Sequence, residues 1–401
     1  MHSSESHLRQ STPLSVSSLH LTWQENGHDC EDEWRSERGA PLPKRVVLAD
    51  DTLSADSAYR LACAGTGMLW RGDFQNARLL LQALARRCDA PKKVRRTSKN
   101  NPEVLRSPQE NFHLYRQAQS QRARTLGMIL IQVNPDRQIS LRRAPDWRKA
   151  MHEAWGPAGT TGCVTSLREL LGLVGAYEWH EKGLEVPALG ASPQNRIHPS
   201  YGVFSPVRGE YIQLVADAPL PNTELAFDIG VGTGVLSAVL AKRGVKRVVG
   251  TDMDPRALTC AQENMQRLGL KSKVELIKAD LFPEGQAPLI VCNPPWLPAR
   301  ASAPIERAIY DENSAMLKGF LSGLAQHLTP KGEGWLILSD LAEHLGLRSR
   351  AELESWIAEG GLKIVGKLDT KPAHKKVQDE SDPLHAARAA EVTSLWRLAV
   401  A

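Results

Sequence analysis

From Leu225 onward the chain alternates between two kinds of segment, and this alternation constrains the fold more than any other feature. The runs LAFDIG, RVVGTD, VELIKAD, LIVCNPP and WLILSD are short, apolar and rich in branched residues. They suit strands buried on both faces of a parallel sheet. Between them, residues 235–243, 255–268 and 314–328 carry apolar positions at helical spacing. Repeated strand–helix units predict an α/β fold, a Rossmann-like doubly wound and mostly parallel sheet, with ligands at the carboxyl ends of its strands. Late in the chain, LKIVGKL and EVTSLWRLAV are expected to pair as an antiparallel hairpin around a long polar loop.

The first half reads differently. Residues 1–50 are rich in Ser, His, Glu and Arg without periodicity, and are expected to be a disordered leader. Residues 51–190 are expected to form a smaller, basic α+β domain suited to substrate recognition, and residues 191–401 the α/β domain. Within the smaller domain, residues 54–87 suggest two helices split by the GTG at Gly65–Gly67. Further helices are expected over 109–125 and 164–178. MILIQV and ISLRR flank NPDRQ (residues 134–138), the pattern of a hairpin.

Composition narrows the function. At 401 residues, the chain is long enough for two domains. No apolar run approaches the roughly 20 residues of a membrane span, and the polar N-terminus MHSSESHLRQ does not have the form of a secretory signal. Six cysteines (Cys30, Cys63, Cys88, Cys163, Cys260, Cys292) contain no CxxC pair, which argues against a zinc ribbon or a disulfide framework. A cytoplasmic enzyme without metal or membrane partner is expected. Net charge is +5, but residues 71–150 hold 18 Lys/Arg against 6 Asp/Glu, a local balance of +12. Such a block, with Lys92, Lys93, Arg95, Arg96 and Lys99 at its centre, is either an electrostatic footprint for nucleic acid or a solvated basic linker.

Four motifs carry chemistry. DIGVGTG (residues 228–234) follows a strand and opens a helix, so Gly230, Gly232 and Gly234 let the backbone turn sharply and approach a ligand. Val235 stands where a dinucleotide fingerprint has its third glycine, which disfavours NAD; a tight turn without ligand is the bland alternative. Asp252, 24 positions after Asp228, can accept both hydrogen bonds of a ribose diol, while Asp254 before Pro255 suits a helix N-cap. Asp280 closes the third strand and either reaches an adenine edge or caps a turn. NPPW (Asn293, Pro294, Pro295, Trp296) follows an apolar strand; two prolines stiffen the backbone and remove two donors. The Asn293 carbonyl and a backbone carbonyl can then accept both hydrogens of a planar amino group, with Trp296 a flat face for the attached ring or amide.

In this order and spacing, DIGVGTG, TDMDP, ADLF and NPPW resemble the class I S-adenosylmethionine-dependent methyltransferases, within the group built on a small methyltransferase domain. The resemblance covers about residues 198–345. It implies S-adenosyl-L-methionine as cofactor, bound by Asp228, Gly230, Gly232, Gly234, Asp252, Asp280 and Asn293, with the three glycines lining its methionine part, Asp252 on the ribose and Asp280 on the adenine side. Asn293, Pro294, Pro295 and Trp296 would receive the target nitrogen. In this group NPP-aromatic accompanies methylation of glutamine amides in release factors, or of exocyclic amines of guanine and adenine. Glutamine methyltransferases usually carry NPPY, where this chain has Trp296. YGVFSP (residues 201–206) resembles the GVFS loop of ribosomal-RNA guanine methyltransferases, but Leu297 and Pro298 replace the His that usually follows NPPF. An RNA-directed N-methyltransferase acting on ribosomal or transfer RNA is therefore expected first. A protein-glutamine methyltransferase acting on a release factor or ribosomal protein is second, and a non-catalytic RNA-binding module of the same fold third.

Overall fold

The computed structural model describes residues 19–90, 106–301, 304–372 and 377–401. The basic residues Lys92, Lys93, Arg95, Arg96 and Lys99 lie outside them. Two large sheets organise the chain. The first contains β1 (His20–Glu25), β2 (His28–Trp34), β3 (Arg45–Ala49), β4 (Thr66–Trp70), β5 (Ile129–Val133) and β6 (Cys163–Ser166), in the order β1-β2-β6-β5-β4-β3. The helices of this half are α1 (Ala55–Cys63), α2 (Phe74–Asp89), α3 (Pro108–Leu126), α4 (Arg148–Trp155) and α5 (Leu167–Lys182). Phe74, Leu80 and Leu84 of α2 and Leu170 and Leu173 of α5 meet Met68, Trp70, Ile129 and Ile131 of the sheet in one buried cluster.

Three local expectations are corrected here. Residues 20–49 are not a disordered leader. They form β1–β3, because Leu21, Trp23 and Trp34 bury themselves on Leu69, Leu130 and Val164, the face of the sheet opposite the helices. The segment between the first two helices is a strand, β4, all five of whose residues are buried. The turn at residues 134–138 does form, with the Asn134 amide donating to the Gln138 carbonyl at 2.8 Å. It leads to no second strand, however; β5 pairs instead with β4 and β6. β5 is rich in branched apolar residues and β4 is buried throughout, so both are interior strands, and a local hairpin cannot compete with that burial.

A two-stranded ribbon, β7 (Leu184–Glu185) and β8 (Arg196–Ile197), leads to the second sheet. This contains β9 (Leu225–Ile229), β10 (Arg247–Asp252), β11 (Val274–Lys278), β12 (Ala287–Cys292), β13 (Leu328–Ser339), β14 (Leu362–Thr370) and β15 (Thr393–Val400). Their order is β11-β10-β9-β12-β13-β15-β14. The first five are parallel to one another, and β15 runs antiparallel to both neighbours. The direction of winding reverses between β9 and β12, the switch point at which doubly wound sheets bind ligands. Strand side chains alternate between the faces. Ala226, Val248, Val291 and Ile337 pack with α6 (Glu210–Asp217) and α7 (Val235–Lys242). Phe227, Val249, Ile290 and Leu336 face α9 (Ala315–His327) and α11 (Arg350–Glu359). The remaining helices are α8 (Pro255–Arg267), α10 (Leu341–His344) and α12 (His385–Ala390). Asp254 caps α8 as expected, accepting from the Arg256 amide at 2.9 Å.

The two halves meet through α3. Its N-terminus is held by a reciprocal Ser107–Glu110 capping box with Pro108 in the first turn. From it Phe112 packs with Leu297, Leu341, Leu345 and Leu384. Arg116 lies 3.8 Å from the Tyr310 ring centroid and donates to the Arg300 carbonyl at 2.7 Å. No helix among the described residues is long and apolar enough to cross a membrane.

The tightest point of the second sheet is Gly334 on β13. A Cβ there would overlap the Leu324 side chain on α9. Gly334→Ala is expected to destabilise the protein by about 1–3 kcal/mol through overpacking. Chemical denaturation measures this directly, and unchanged stability would contradict the contact.

Candidate active site

The site grows from the register of three parallel strands. Ile229, the last residue of β9, pairs with Thr251 of β10 on one side and Cys292 of β12 on the other. The next residues are Gly230, Asp252 and Asn293, which therefore stand in a row along the carboxyl edge. With strands about 4.8 Å apart, the outer two lie roughly 10 Å from each other across the glycine turn.

That turn has the conformation its glycines suggest. Gly230, Gly232 and Gly234 have φ of 74°, 52° and 80°, values that L side chains rarely adopt. A Cβ at Gly234 would lie 2.9 Å from Met265 of α8, and one at Gly230 2.9 Å from Met316 of α9; with the positive φ, both positions favour glycine. At Gly232 only the Gly230 carbonyl lies as near as 4.0 Å, leaving open space on that side.

Asp228 is placed differently from the resemblance. Its side chain is buried, and Oδ2 accepts from both the Ser237 amide at 2.9 Å and the Ser237 hydroxyl at 2.6 Å. It ties the end of β9 to α7 and holds the glycine turn from beneath. Burial, the dominant influence, lifts its carboxyl to about 7 despite the two bonds from Ser237. Asp252 reaches the surface side of the turn. Oδ2 accepts from the Gly232 amide at 3.1 Å and Oδ1 from the Asp254 amide at 2.9 Å. A carboxylate has about four acceptor positions, so these bonds leave capacity for a ribose hydroxyl. Burial also raises Asp252, against the bonds from those amides. Asp280 stands two residues beyond Lys278, the partner of Asp252 in β11, and is exposed.

On the other side of the turn, Pro294 is buried and Asn293, Pro295 and Trp296 are half-buried. The Trp296 indole Nε1 donates to Asn293 Oδ1 at 2.9 Å. Trp296 is thus more than a flat face. It fixes the Asn293 carboxamide while its ring packs against the apolar clusters on both faces of the sheet.

Several supporting residues carry no sequence signal. The Arg208 guanidinium sits 5.6 Å from the Trp296 ring centroid and pairs with Glu391 at 3.0 Å. Glu391 is buried and also accepts from the Ser339 hydroxyl at 2.7 Å. Asp311 accepts from the Met316 and Leu317 amides at 3.0 and 3.1 Å, setting the start of α9 beside Gly230. Asn264 of α8 donates to the carbonyls of Thr233 and His198, lashing the loop before the GVFS sequence to the glycine turn. Val203 of that loop packs on Ala257 and Cys260.

The second half of the chain resembles known proteins. The family described as ribosomal protein L11 methyltransferase (PrmA) matches residues 212–327. A tRNA1(Val) (adenine(37)-N6)-methyltransferase from Shewanella loihica is 30% identical over 185 residues, 43% of this chain and 72% of that protein. The chain belongs to the class I S-adenosylmethionine-dependent methyltransferases. A Methanocaldococcus jannaschii protein described as a protein N5-glutamine methyltransferase is 32% identical over 113 residues, 28% of this chain and 55% of the relative. A ribosomal protein L11 methyltransferase from Vibrio parahaemolyticus is 35% identical over 101 residues, 25% of this chain and 34% of the relative. The chain thus spans about half the length of the first of these two and a third of the second.

The cofactor of this family is S-adenosyl-L-methionine, and the donor set fits it. Gly232 leaves open space on one side, Asp252 stands at the same strand edge, and Asp280 is exposed beyond it. Among the described residues no group of three or more His, Cys, Asp or Glu side chains could hold a metal ion.

The raised Asp228 carboxyl makes a pH prediction. A carboxyl lifted by burial stabilises the fold fully below its unfolded value near 4, and that contribution is lost as pH rises through about 7. Asp228→Asn keeps an acceptor for Ser237 and carries no charge. From pH 4 to 8 the stability of this variant relative to wild type should rise, by on the order of a few kcal/mol. Denaturation midpoints across that range check it; a constant difference would show that the carboxylate is not desolvated.

Proposed function

We propose that this protein transfers the methyl group of S-adenosyl-L-methionine to a planar amino nitrogen, and that the nitrogen is the exocyclic amine of an RNA base. The observation that carries the reading is the Asn293 carboxamide, held by Trp296 at the carboxyl end of β12, beside a glycine turn of the geometry described above. One lone pair of Oδ1 is taken by the indole. The other, with a backbone carbonyl of the proline-stiffened tetrad, can accept the hydrogens of an NH2 group and aim its lone pair at the cofactor side. Gly230, Gly232, Gly234 and Asp252 would hold the cofactor, with Asp280 toward its adenine; when bound it supplies an electrophilic methyl group. Reaction at such a nitrogen depends on alignment and exclusion of water more than on a strong base, and buried Pro294 with half-buried Trp296 serve both.

RNA is favoured over protein by the basic block at residues 71–150 and by the Shewanella relative, whose name gives a tRNA adenine as its substrate. The second reading, a protein glutamine, rests on the same tetrad and on the Methanocaldococcus relative. The cysteines of the structure are unpaired, in keeping with a reducing cytoplasm.

Transfer of radiolabelled methyl to total RNA and total protein from a deletion strain separates the readings; label in protein alone would overturn the RNA assignment. Asp252→Ala should weaken cofactor binding by about 1–3 kcal/mol, the cost of unpaired ribose hydroxyls, as read by calorimetry. Asn293→Ala should leave that binding nearly intact and lower turnover at least about 100-fold. Turnover within a few-fold of wild type would remove Asn293 from the acceptor site.

A further inference from the structure

Between the two halves of the molecule lies a cleft of about 330 Å³ that the acceptor site does not use. One wall is α5 with the loop after β2; the other is the GVFS loop, the first turn of α8 and the segment near Ile305. Three guanidinium groups line it: Arg38, Arg168 and Arg256. Arg168 is half-buried and, among the described residues, has no hydrogen-bond or ion-pair partner. Burial, and after it the like charges of Arg38 and Arg122, push its guanidinium down from the usual arginine range.

The acidic groups at the cleft are already engaged. Glu37 faces Arg35 at 3.4 Å. Glu169 accepts from the Ser36 hydroxyl at 3.0 Å and from the Glu37 amide. Arg256 meets its neighbour Asp254 at a long 3.5 Å. Arg38, Arg168 and Arg256 outnumber Glu37 and Glu169 in the lining, and Arg168 holds no ion pair of its own, an arrangement that an anion would stabilise.

The same cleft collects exposed apolar side chains. Trp179, Val207 and Ile305, at 49%, 60% and 41% exposure, all line it. An exposed indole and guanidinium groups lining one cleft are the composition of a stacking platform and a phosphate track. The cleft also adjoins the acceptor site through the backbone: Val207 lines it, while Arg208, the next residue, stands over Trp296.

We propose that this interdomain cleft binds a nucleotide of single-stranded RNA flanking the methylated base, with Trp179 stacking on the base and Arg38, Arg168 and Arg256 taking the adjoining phosphates. The proposal rests on the RNA reading above and deepens it. It gives the N-terminal half a defined role, because α5 and the loop after β2 supply one wall of the cleft.

Binding is measured with the full chain and a fluorescein-labelled single-stranded RNA 12-mer, titrated by anisotropy at several salt concentrations. Trp179→Ala should weaken binding about tenfold, and Trp179→Phe should restore most of it, since a phenyl ring still stacks. Arg38→Ala with Arg168→Ala should flatten the log–log salt dependence by roughly 0.7 per lost phosphate contact. In RNA methylation assays both sets should raise KM and leave kcat and cofactor affinity near wild type. Trp179 is half exposed, so its variants report even where the arginine variant folds poorly. If Trp179→Ala binds the oligonucleotide and methylates RNA as wild type does, the cleft assignment is overturned while the RNA reading stands. If wild type labels protein and not RNA, the reading fails and the cleft proposal with it.

Discussion

The parallel register of β9 between β10 and β12 is the constraint on which the site depends. Ile229 pairs with Thr251 and with Cys292, so the residue following each strand emerges at one level. A slip of one residue on either side would turn alternate side chains to the opposite face and bury Asp252 or Asn293 in apolar packing. The alternation of core residues prevents the slip: Ala226 and Val291 belong to one apolar layer, Phe227 and Ile290 to the other. Buried area thus sets the position of the polar groups at the edge, though the edge itself contributes little to the core.

Above that edge, geometry is held by groups that would not touch a ligand. Asp228 is buried beneath the glycine turn and bonded twice to Ser237. Its desolvation is a cost, accepted because the bonds satisfy the first turn of α7 and fix where Gly230 begins. Asn264 acts in the same way from above, joining the turn to the loop that precedes GVFS. On the acceptor side, the Arg208–Glu391–Ser339 chain places a charged group over Trp296, and Glu391 arrives from the antiparallel β15 end of the sheet. The last strands of the chain therefore shape the surroundings of Asn293 and Trp296.

The N-terminal half is coupled to the same edge. Helix α3 packs Phe112 against Leu297, the residue directly after NPPW, and Arg116 against Tyr310. The acceptor loop is thus clamped between its own sheet and a helix from the other half.

How much of this could be read in advance varies from element to element. Strands β9 to β13 and the helices between them follow from local periodicity, and DIGVGTG, Asp252 and NPPW announce themselves because turns, N-caps and proline-stiffened loops are local chemistry. β1–β3 do not: His20–Trp34 is as polar as a linker, and becomes sheet only because Trp23 and Trp34 find Leu69 and Leu130 from distant segments. β4 hides in the same way, since Thr66 and Gly67 at its start read as a turn and only Met68, Leu69 and Trp70 are apolar, too short a run to distinguish strand from helix. The inward turn of Asp228, the Trp296–Asn293 bond, the Arg208–Glu391 pair and the cleft around Arg168 are long-range or rotameric events. By itself the amino-acid sequence determined the α/β class, the family and the residues standing at the carboxyl edge, because each depends on spacing within a few turns of chain. Only the tertiary structure decided which of those residues face outward, what orients them and what the first half builds beside them, because these follow from packing between segments that no local pattern connects.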